Sequence, residues 1–227
     1  MSKKPTNRRT TPSTSRQTNW VLLGGIIAGG VLILAALLIL ATQEPESKTV
    51  AAYCEENPLA CFSLGAEDAP VTIVEVADFG CSHCRDFHVE TFPALEAQYI
   101  SSDAVRFVLL PYALGDVTLP SANAAMCAGE QEQYFPFAAA MYAGFNDPIT
   151  RTRDGFTRIA GDLGLEMESF EQCVSEGRYV DTIRDNIAIA SQNGVNSTPT
   201  FFINGSRLNG AFPFSTFQQQ IETILGS

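Results

Sequence analysis

Cys81 and Cys84 form a CxxC motif, with the sequence CSHC. Cysteines at this spacing can close a disulfide with each other or supply two ligands to a metal. The preceding segment, about 71–78, is rich in β-branched residues and predicts a buried strand, whereas about 82–99 predicts a helix. Where a strand leads into a helix, free backbone N–H groups and the positive end of the helix dipole stabilise a thiolate. The position therefore predicts a reactive cysteine.

A strand–helix–strand unit is predicted around this motif. The strand at 71–78 and the helix at 82–99 are followed by a second strand at 105–110. Two strands joined by a helix of this length are expected to be parallel neighbours with a right-handed crossover. Pro93 lies inside the predicted helix, so we expect a bend there.

A helical block and a hairpin are predicted in the second half of the chain. Residues 118–193 have helical character throughout. A strand follows at 198–203, and the dipeptide at 204–205 is Asn-Gly, a strong signal for a two-residue hairpin turn. The return strand at 206–211 precedes a closing amphipathic helix. The predicted order is βαβ, a helical block, and then ββα.

The first 41 residues indicate a membrane anchor. Residues 1–19 carry five basic side chains and no acid, which suggests a disordered basic tail. Residues 20–41 contain no charge, and a helix of this length spans the roughly 30 Å of a hydrocarbon core. The basic side predicts a cytoplasmic N-terminus, with the rest of the chain outside. A cleaved signal peptide is the alternative, but its apolar region is shorter, about 7–15 residues.

The remaining chain is strongly acidic, which bears on its partners. Nine of the 14 lysines and arginines and all 25 acids follow residue 41. Binding to nucleic acid is disfavoured because phosphate contacts need clustered basic side chains. Residues 42–64 are predicted to be a linker that contains a cysteine pair, followed by a folded domain at 65–227.

All six cysteines fall on the predicted external side, where disulfides form and persist. Cys54 and Cys61 flank Pro58, so they can meet across a short turn and form a local structural bridge. Cys127 and Cys173 lie in two predicted helices of the block and can brace it as a second structural disulfide. Their alternative is to be two buried free thiols, and six cysteines allow fifteen pairings in all.

The external part resembles the DsbA family of thioredoxin-fold disulfide oxidoreductases. The matching segments are VEVADFGCSHC at 74–84 and GVNSTPTFFING at 194–205. With the helical block between them, the resemblance covers about 65–227. It implies an α/β thioredoxin-like fold in which the block at about 118–193 is inserted between the βαβ and ββα halves. A single N-terminal transmembrane helix would precede this domain.

The motif residues have distinct expected roles. Cys81 at the helix start is the expected nucleophile, which exchanges disulfides through a mixed disulfide, and Cys84 is expected to resolve it. His83 is expected to stabilise the Cys81 thiolate and lower its pKa, which favours an oxidant. The best-known oxidants of the family carry proline where this chain has Ser82, so oxidising strength is left open.

Three further site residues are implied by the resemblance. Pro199 is expected to be cis and to face the active disulfide, although a trans proline at a strand start is the common case. The backbone of Thr198 would then lie against the cysteines, where it can pair with substrate backbone. Glu75 corresponds to a buried acid that moves protons to and from the inner cysteine; the alternative is a solvent-facing strand residue.

The predicted function is an extracytoplasmic, membrane-anchored thiol–disulfide oxidoreductase that donates disulfides to exported proteins. Its redox centre is the Cys81–Cys84 disulfide, with no other cofactor and no resident metal. The chain has no motif for flavin, haem or quinone, so a membrane oxidase is the expected partner for reoxidation. Alternatives are a reductase or isomerase on the same fold, a chaperone-like peptide-binding module, or a zinc site that includes His88.

Overall fold

A five-stranded mixed sheet forms the centre of the protein. The computed structural model describes residues 48–226 and, ahead of them, residues 25, 30, 33 and 34. The strands are β1 (Phe62–Leu64), β2 (Val71–Ala77), β3 (Val105–Pro111), β4 (Thr200–Ile203) and β5 (Ser206–Asn209). Their spatial order is β1-β3-β2-β4-β5. Strands β2 and β3 are parallel and the other neighbours are antiparallel, in agreement with the predicted βαβ and ββα halves.

The two central strands are nearly continuous apolar segments because helices cover both faces of the sheet. Val71, Ile73 and Val76 of β2 and Val105 and Phe107 of β3 have no exposed surface. The Asn-Gly hairpin between β4 and β5 is confirmed. Asn204 and Gly205 both have positive φ angles, 43° and 84°, as the favoured two-residue turn requires.

The helical segment after the CxxC motif is irregular. It consists of α2 (Ser82–Asp86), a π-helical turn (Phe87–Thr91), α3 (Phe92–Leu95) and a second π-helical turn (Glu96–Ile100). Pro93 has no N–H group to donate, and its ring would clash with the carbonyl four residues earlier. The Phe92 N–H accordingly bonds to the carbonyl of Phe87, five residues back. The helix therefore has a π-helical turn directly before Pro93, a feature common near functional sites.

The predicted helical block consists of five α-helices and a short 3₁₀ turn. The bounds are α4 (Leu119–Gly129), α5 (Tyr134–Ala143), the 3₁₀ turn (Pro148–Arg151), α6 (Arg153–Asp162), α7 (Met167–Glu176) and α8 (Val180–Gln192). The chain closes with α9 (Phe214–Leu225). Cys127 of α4 and Cys173 of α7 form the predicted disulfide, with both side chains fully buried.

The segment before residue 65 is more structured than the linker predicted for residues 42–64. It contains α1 (Val50–Glu56), and β1 pairs with β3 at the edge of the sheet. Cys54 and Cys61 form the predicted local disulfide between these two elements. Asn186 of α8 is buried and donates to the carbonyls of Ala60 and Pro111. These contacts make the segment part of the domain core.

Within residues 48–226 and the four earlier described positions, no helix is long and apolar enough to cross a bilayer. The predicted basic tail at 1–19 and nearly all of the predicted anchor at 20–41 lie outside the described residues.

Candidate active site

Cys81 lies at the N-cap of α2, directly after the turn that follows β2. Its side chain is half-buried, and its Sγ lies 3.2 Å from the carbonyl oxygen of Thr198, to which it can donate only when protonated. The pKa of Cys81 is lowered to about 5, chiefly by a hydrogen bond from the Cys84 thiol. The Thr198 side chain and the backbone N–H groups of Cys84 and His83 lower it further, whereas burial acts in the opposite direction. Cys81 is thus a thiolate at neutral pH.

Cys84 lies one turn further along the helix and is fully buried. Burial raises its pKa well above the ordinary range, and the hydrogen bond to Cys81 and the negative charge of Glu75 raise it further. The two sulfurs are not bonded to each other in this structure. One thiolate at the surface and one thiol beneath it are the pair that disulfide exchange requires, since only a thiolate is a nucleophile.

A direct prediction concerns the alkylation of Cys81 in the reduced protein. Because the pKa of Cys81 is about 5, its reaction rate with iodoacetamide should rise through a midpoint near pH 5 and level off by pH 7. An ordinary cysteine gives a midpoint of about 8.5. Mass spectrometry of the peptide containing Cys81 measures this rate, and a Cys84→Ala variant identifies the contribution of the inner thiol. A midpoint above pH 8 would contradict the proposed thiolate environment.

The loop before β4 faces the cysteines. The Thr198–Pro199 peptide bond is cis, as the resemblance implies. Antiparallel pairing of Val76 with Thr200 brings this loop to the end of β2, beside the start of α2. The Thr198 hydroxyl is buried and has no hydrogen-bond partner among residues 48–226, so it is available to a Cys81 thiolate.

His83 is placed differently from its expected role. Its side chain is 70% exposed, and its Nδ1 lies 3.7 Å from Oδ2 of Asp86. The contribution of His83 to the lowered pKa of Cys81 comes from its backbone N–H and not from its ring. The backbone N–H groups in the first turn of the helix therefore help to lower the pKa of Cys81, which is the effect that the sequence predicted for the imidazole of His83.

Glu75 is fully buried, so the solvent-facing alternative is wrong. Its Oε2 lies 2.9 Å from Nε2 of His88, and the two side chains are 0% and 5% exposed. The His88 ring stacks on Tyr142 with a centroid separation of 4.4 Å. Sequence analysis places His88 on the Cys84 face of the helix but suggests zinc as its partner. The glutamate partner comes from the neighbouring strand.

The zinc alternative receives no support from this geometry. His88 is paired with Glu75, so it is not directed with Cys81 and Cys84 at a common point. Within the described part of the chain, no group of three or more histidine, cysteine or acidic side chains is arranged to hold a metal ion.

Asp78 is a site residue that sequence analysis missed. It is fully buried, and its carboxylate accepts hydrogen bonds from the Gly80 N–H (2.5 Å), the Leu114 N–H (2.6 Å) and the Thr118 hydroxyl (2.6 Å). Its carbonyl accepts from the Cys81 N–H at 3.1 Å. Asp78 thus positions the turn that presents Cys81 and ties it to the 114–118 loop. The sequence did contain a signal for this role: an acidic residue lies at the end of the predicted strand, three residues before the CxxC motif.

Asp78→Asn should lower the free energy of unfolding by about 1–3 kcal/mol, since an amide nitrogen would replace one acceptor and leave buried donors unpaired. Chemical denaturation of the reduced protein measures the change. Asp116→Asn is the matched control because Asp116 is an exposed acid on the same loop. If the two variants have the same free energy of unfolding, Asp78 does not hold the turn before Cys81 in place.

Comparison with known protein families gives one match that covers most of the chain. The family model described as thioredoxin matches residues 60–223. This range contains the CxxC motif, the helical block and the cis-proline loop.

Two curated relatives and one solved structure illustrate the similarity. The chain is 29% identical over 166 residues to the Na(+)/H(+) antiporter NhaA 3 of Salinispora tropica, covering 72% of this chain and 24% of that protein. It is 26% identical over 173 residues to a putative protein-disulfide oxidoreductase of Rickettsia bellii, covering 72% and 64%. The crystal structure of Wolbachia pipientis alpha-DsbA1 superposes with a TM-score of 0.65 at 26% identity, covering 72% and 90%. The chain spans less than two thirds of both curated relatives.

Proposed function

Since this chain belongs to the thioredoxin family, in its DsbA-like group, we propose that it is a thiol–disulfide oxidoreductase that donates disulfides to proteins outside the cytoplasm. The Cys81–Cys84 disulfide is its redox centre and needs no further cofactor. The observation that carries this proposal is the contrast between the two thiols: the pKa of Cys81 is lowered to about 5, and that of Cys84 is raised.

The proposed reaction begins with the oxidised protein. A client thiolate attacks the Cys81 sulfur, the Cys81–Cys84 bond breaks, and the Cys84 sulfur leaves with the electron pair and takes up a proton. A second client thiolate then attacks the client sulfur of the mixed disulfide. The client disulfide forms, and Cys81 leaves as a thiolate. The client loses two electrons and the protein gains them, and Cys81 is a good leaving group because its pKa is low.

The Cys81 thiolate also determines the direction of transfer. A group whose pKa is lower in the folded than in the unfolded protein stabilises the folded state fully above its unfolded pKa, about 8.5. This stabilisation falls as the pH decreases towards the folded value, about 5, and is lost below it. It applies only to the reduced form, because the disulfide has no thiolate. At neutral pH the reduced form is therefore favoured, which makes the oxidised form a disulfide donor.

The reduction potential of the Cys81–Cys84 pair tests the direction. Equilibration with glutathione buffers, followed by alkylation and mass spectrometry, should give a value well above the roughly −270 mV of thioredoxin. A value near that of thioredoxin would favour the reductase or isomerase alternative. The Cys127–Cys173 disulfide serves as an internal reference, because both of its cysteines are fully buried and it should stay oxidised throughout the titration.

Client binding is proposed at a groove beside the CxxC motif. A cavity of about 360 Å³ lies between the helical segment after Cys81 and the loop before α9, and its lining includes His83, Glu90 and Phe212. Its lining begins two residues after Cys81 in the sequence, so a client segment held there would lie close to the CxxC motif. The proposed clients are unfolded exported proteins with reduced thiols.

A membrane anchor at residues 20–41 completes the proposal, with the N-terminus in the cytoplasm and the catalytic domain outside. A membrane oxidase would then return the reduced pair to the disulfide state. Expression of the full chain in bacteria, membrane fractionation and protease treatment of intact spheroplasts test the topology. Digestion of the domain from outside is the expected result, and a protease-resistant domain in intact cells would overturn the topology.

A further inference from the structure

The groove beside the CxxC motif combines an unpaired carboxylate with an exposed aromatic side chain. Glu90 lines it from the helical segment after Cys81, and Phe212 lines it from the loop before α9. Glu90 is exposed, and within residues 48–226 its side chain makes no ion pair or hydrogen bond. Phe212 is 37% exposed, and neither another ring nor a cation from the described domain stacks on it. Both groups are therefore free to contact a ligand.

Two hydrogen bonds hold the loop that carries Phe212. The buried Thr91 hydroxyl donates to the carbonyl oxygen of Phe212 at 3.1 Å, which joins the loop to the π-helical turn after α2. The Gly210 N–H donates to the carbonyl oxygen of Pro199 at 2.8 Å, which joins it to the cis-proline loop that faces Cys81. Because this wall of the groove is already ordered, a ligand that contacts Phe212 loses little affinity to loop ordering.

The other charges of the groove offset one another. Nη2 of Arg85 lies 2.9 Å from Oδ1 of Asp86, and the Arg85 guanidinium also lies 5.9 Å from the centre of the Phe145 ring. The second carboxylate oxygen of Asp86 lies 3.7 Å from Nδ1 of His83. Arg85 and Asp86 thus compensate each other, and the negative charge of Glu90 remains uncompensated. The groove accordingly favours a cation.

We propose that this groove selects client segments that carry a basic side chain, arginine above lysine, a few residues from the cysteine that bonds to Cys81. A guanidinium can pair with the Glu90 carboxylate and also stack on the Phe212 ring, whereas an ammonium is a compact charge that stays more strongly hydrated. The inference rests on the proposed function, because it names the client chemistry that the same site prefers.

The chemistry of exchange brings the client to this groove. A client in the mixed disulfide is bonded to the Cys81 sulfur, so the chain on one side of its own cysteine must lie beside that sulfur. The lining of the groove begins at His83, two residues after Cys81. A basic side chain two to four residues from the client cysteine can therefore reach Glu90 and Phe212.

Reduced peptides with two cysteines test this preference against the oxidised full-length protein. The peptides differ at one position, two to four residues from a cysteine, which holds arginine, lysine, citrulline, leucine or glutamate. Citrulline is the reference because it has the shape of arginine without the charge. Acid quenching, alkylation and mass spectrometry give the second-order rate constant for reduction of the Cys81–Cys84 disulfide. At the best position, arginine should react about tenfold faster than citrulline, with lysine between them and glutamate slowest.

Variants of the two walls show whether the preference arises in the groove. Glu90→Gln should lower the arginine-to-citrulline rate ratio about threefold, and Phe212→Leu, which keeps an apolar side chain without a ring, should lower it by about the same factor. Glu96→Gln is the matched control and should keep the wild-type ratio. Glu96 is an exposed acid of the same helical segment that does not line the groove, so its loss changes the net charge equally.

Comparing ratios between proteins removes two other effects of charge. A basic residue lowers the pKa of a neighbouring thiol in the peptide itself, but this effect is the same for every protein variant and cancels. The excess of acids after residue 41 attracts any basic peptide. That general attraction weakens equally in Glu90→Gln and Glu96→Gln, so only a contact in the groove separates these two variants.

The outcomes separate this inference from the proposed function. The same arginine-to-citrulline ratio in the wild-type protein and Glu90→Gln would overturn the inference while leaving disulfide exchange intact. A leucine peptide that reacts faster than the arginine peptide would do the same, because the groove would then prefer an apolar residue. If Phe212→Leu does not fold, Glu90→Gln decides alone, since Glu90 is exposed and its replacement leaves the core unchanged. Failure of every peptide to reduce the wild-type protein would instead overturn the proposed function.

Discussion

Cys81→Ser should abolish disulfide transfer to a reduced peptide with two thiols. Cys84→Ser, given the same peptide in its disulfide form, should accumulate a mixed disulfide, because the Cys81 thiolate attacks one peptide sulfur and the other leaves as a thiolate. The reason is the division of roles in the site. Cys81 is half-buried and its pKa is lowered to about 5, so it is the sulfur expected to reach a client, and the fully buried Cys84 is the thiol expected to resolve the intermediate. Serine cannot form a disulfide at either position.

Non-reducing electrophoresis and mass spectrometry of the reaction with the peptide distinguish the two variants. The matched control is Cys54→Ala with Cys61→Ala, because this pair forms a disulfide outside the CxxC motif and should leave transfer active. Trapped mixed disulfides in Cys81→Ser, with none in Cys84→Ser, would reverse the assigned roles.

Removal of the Cys127–Cys173 disulfide by alanine substitution should reduce the free energy of unfolding by about 4 kcal/mol. This bridge joins α4 to α7 across a separation of 46 residues, so its loss frees a long loop in the unfolded chain. Both side chains are fully buried, and alanine avoids placing unpaired hydroxyls in the core. A change of this size is a large fraction of the stability of an average domain, about 5–15 kcal/mol.

The Cys54–Cys61 bridge provides the comparison, because it spans only seven residues and its removal should cost about 2 kcal/mol. Guanidinium unfolding of both double variants, followed by circular dichroism, measures the two costs. A larger loss for the short bridge would show that strain or packing outweighs the loop entropy of the unfolded chain.

The site was predictable from sequence where local pattern and chemistry coincide. Cys81 follows a β-branched strand and begins a helix, and the Asn-Gly turn at 204–205 marks the second half of the sheet. The segment 50–64 was less predictable. β1 has only three residues, and its role depends on pairing with β3 in the folded protein.

The partners of the charged side chains at the site could not be predicted, because they depend on tertiary packing and not on a local sequence pattern. The ring of His83, two residues from Cys81, lies near Asp86, so its backbone N–H makes the contribution expected of the imidazole. His88 lies on the predicted helix face, but its partner Glu75 is thirteen residues earlier, on β2. Asp78 acts on a loop that begins 36 residues later.

The sequence by itself determined the reactive pair Cys81–Cys84 and the strand–helix junction that holds it, whereas the role of the distant Thr198–Pro199 segment came from the resemblance to the DsbA family. The pair and its junction depend on residue type, periodicity and turn chemistry over short stretches. Only the tertiary structure decided that Glu75 is paired with His88, that Asp78 bonds the loop beginning at Leu114, and that the backbone of His83, not its ring, acts on Cys81. Those properties depend on desolvation and on charges and hydrogen bonds from separate elements, which become neighbours only when the sheet and its covering helices are assembled.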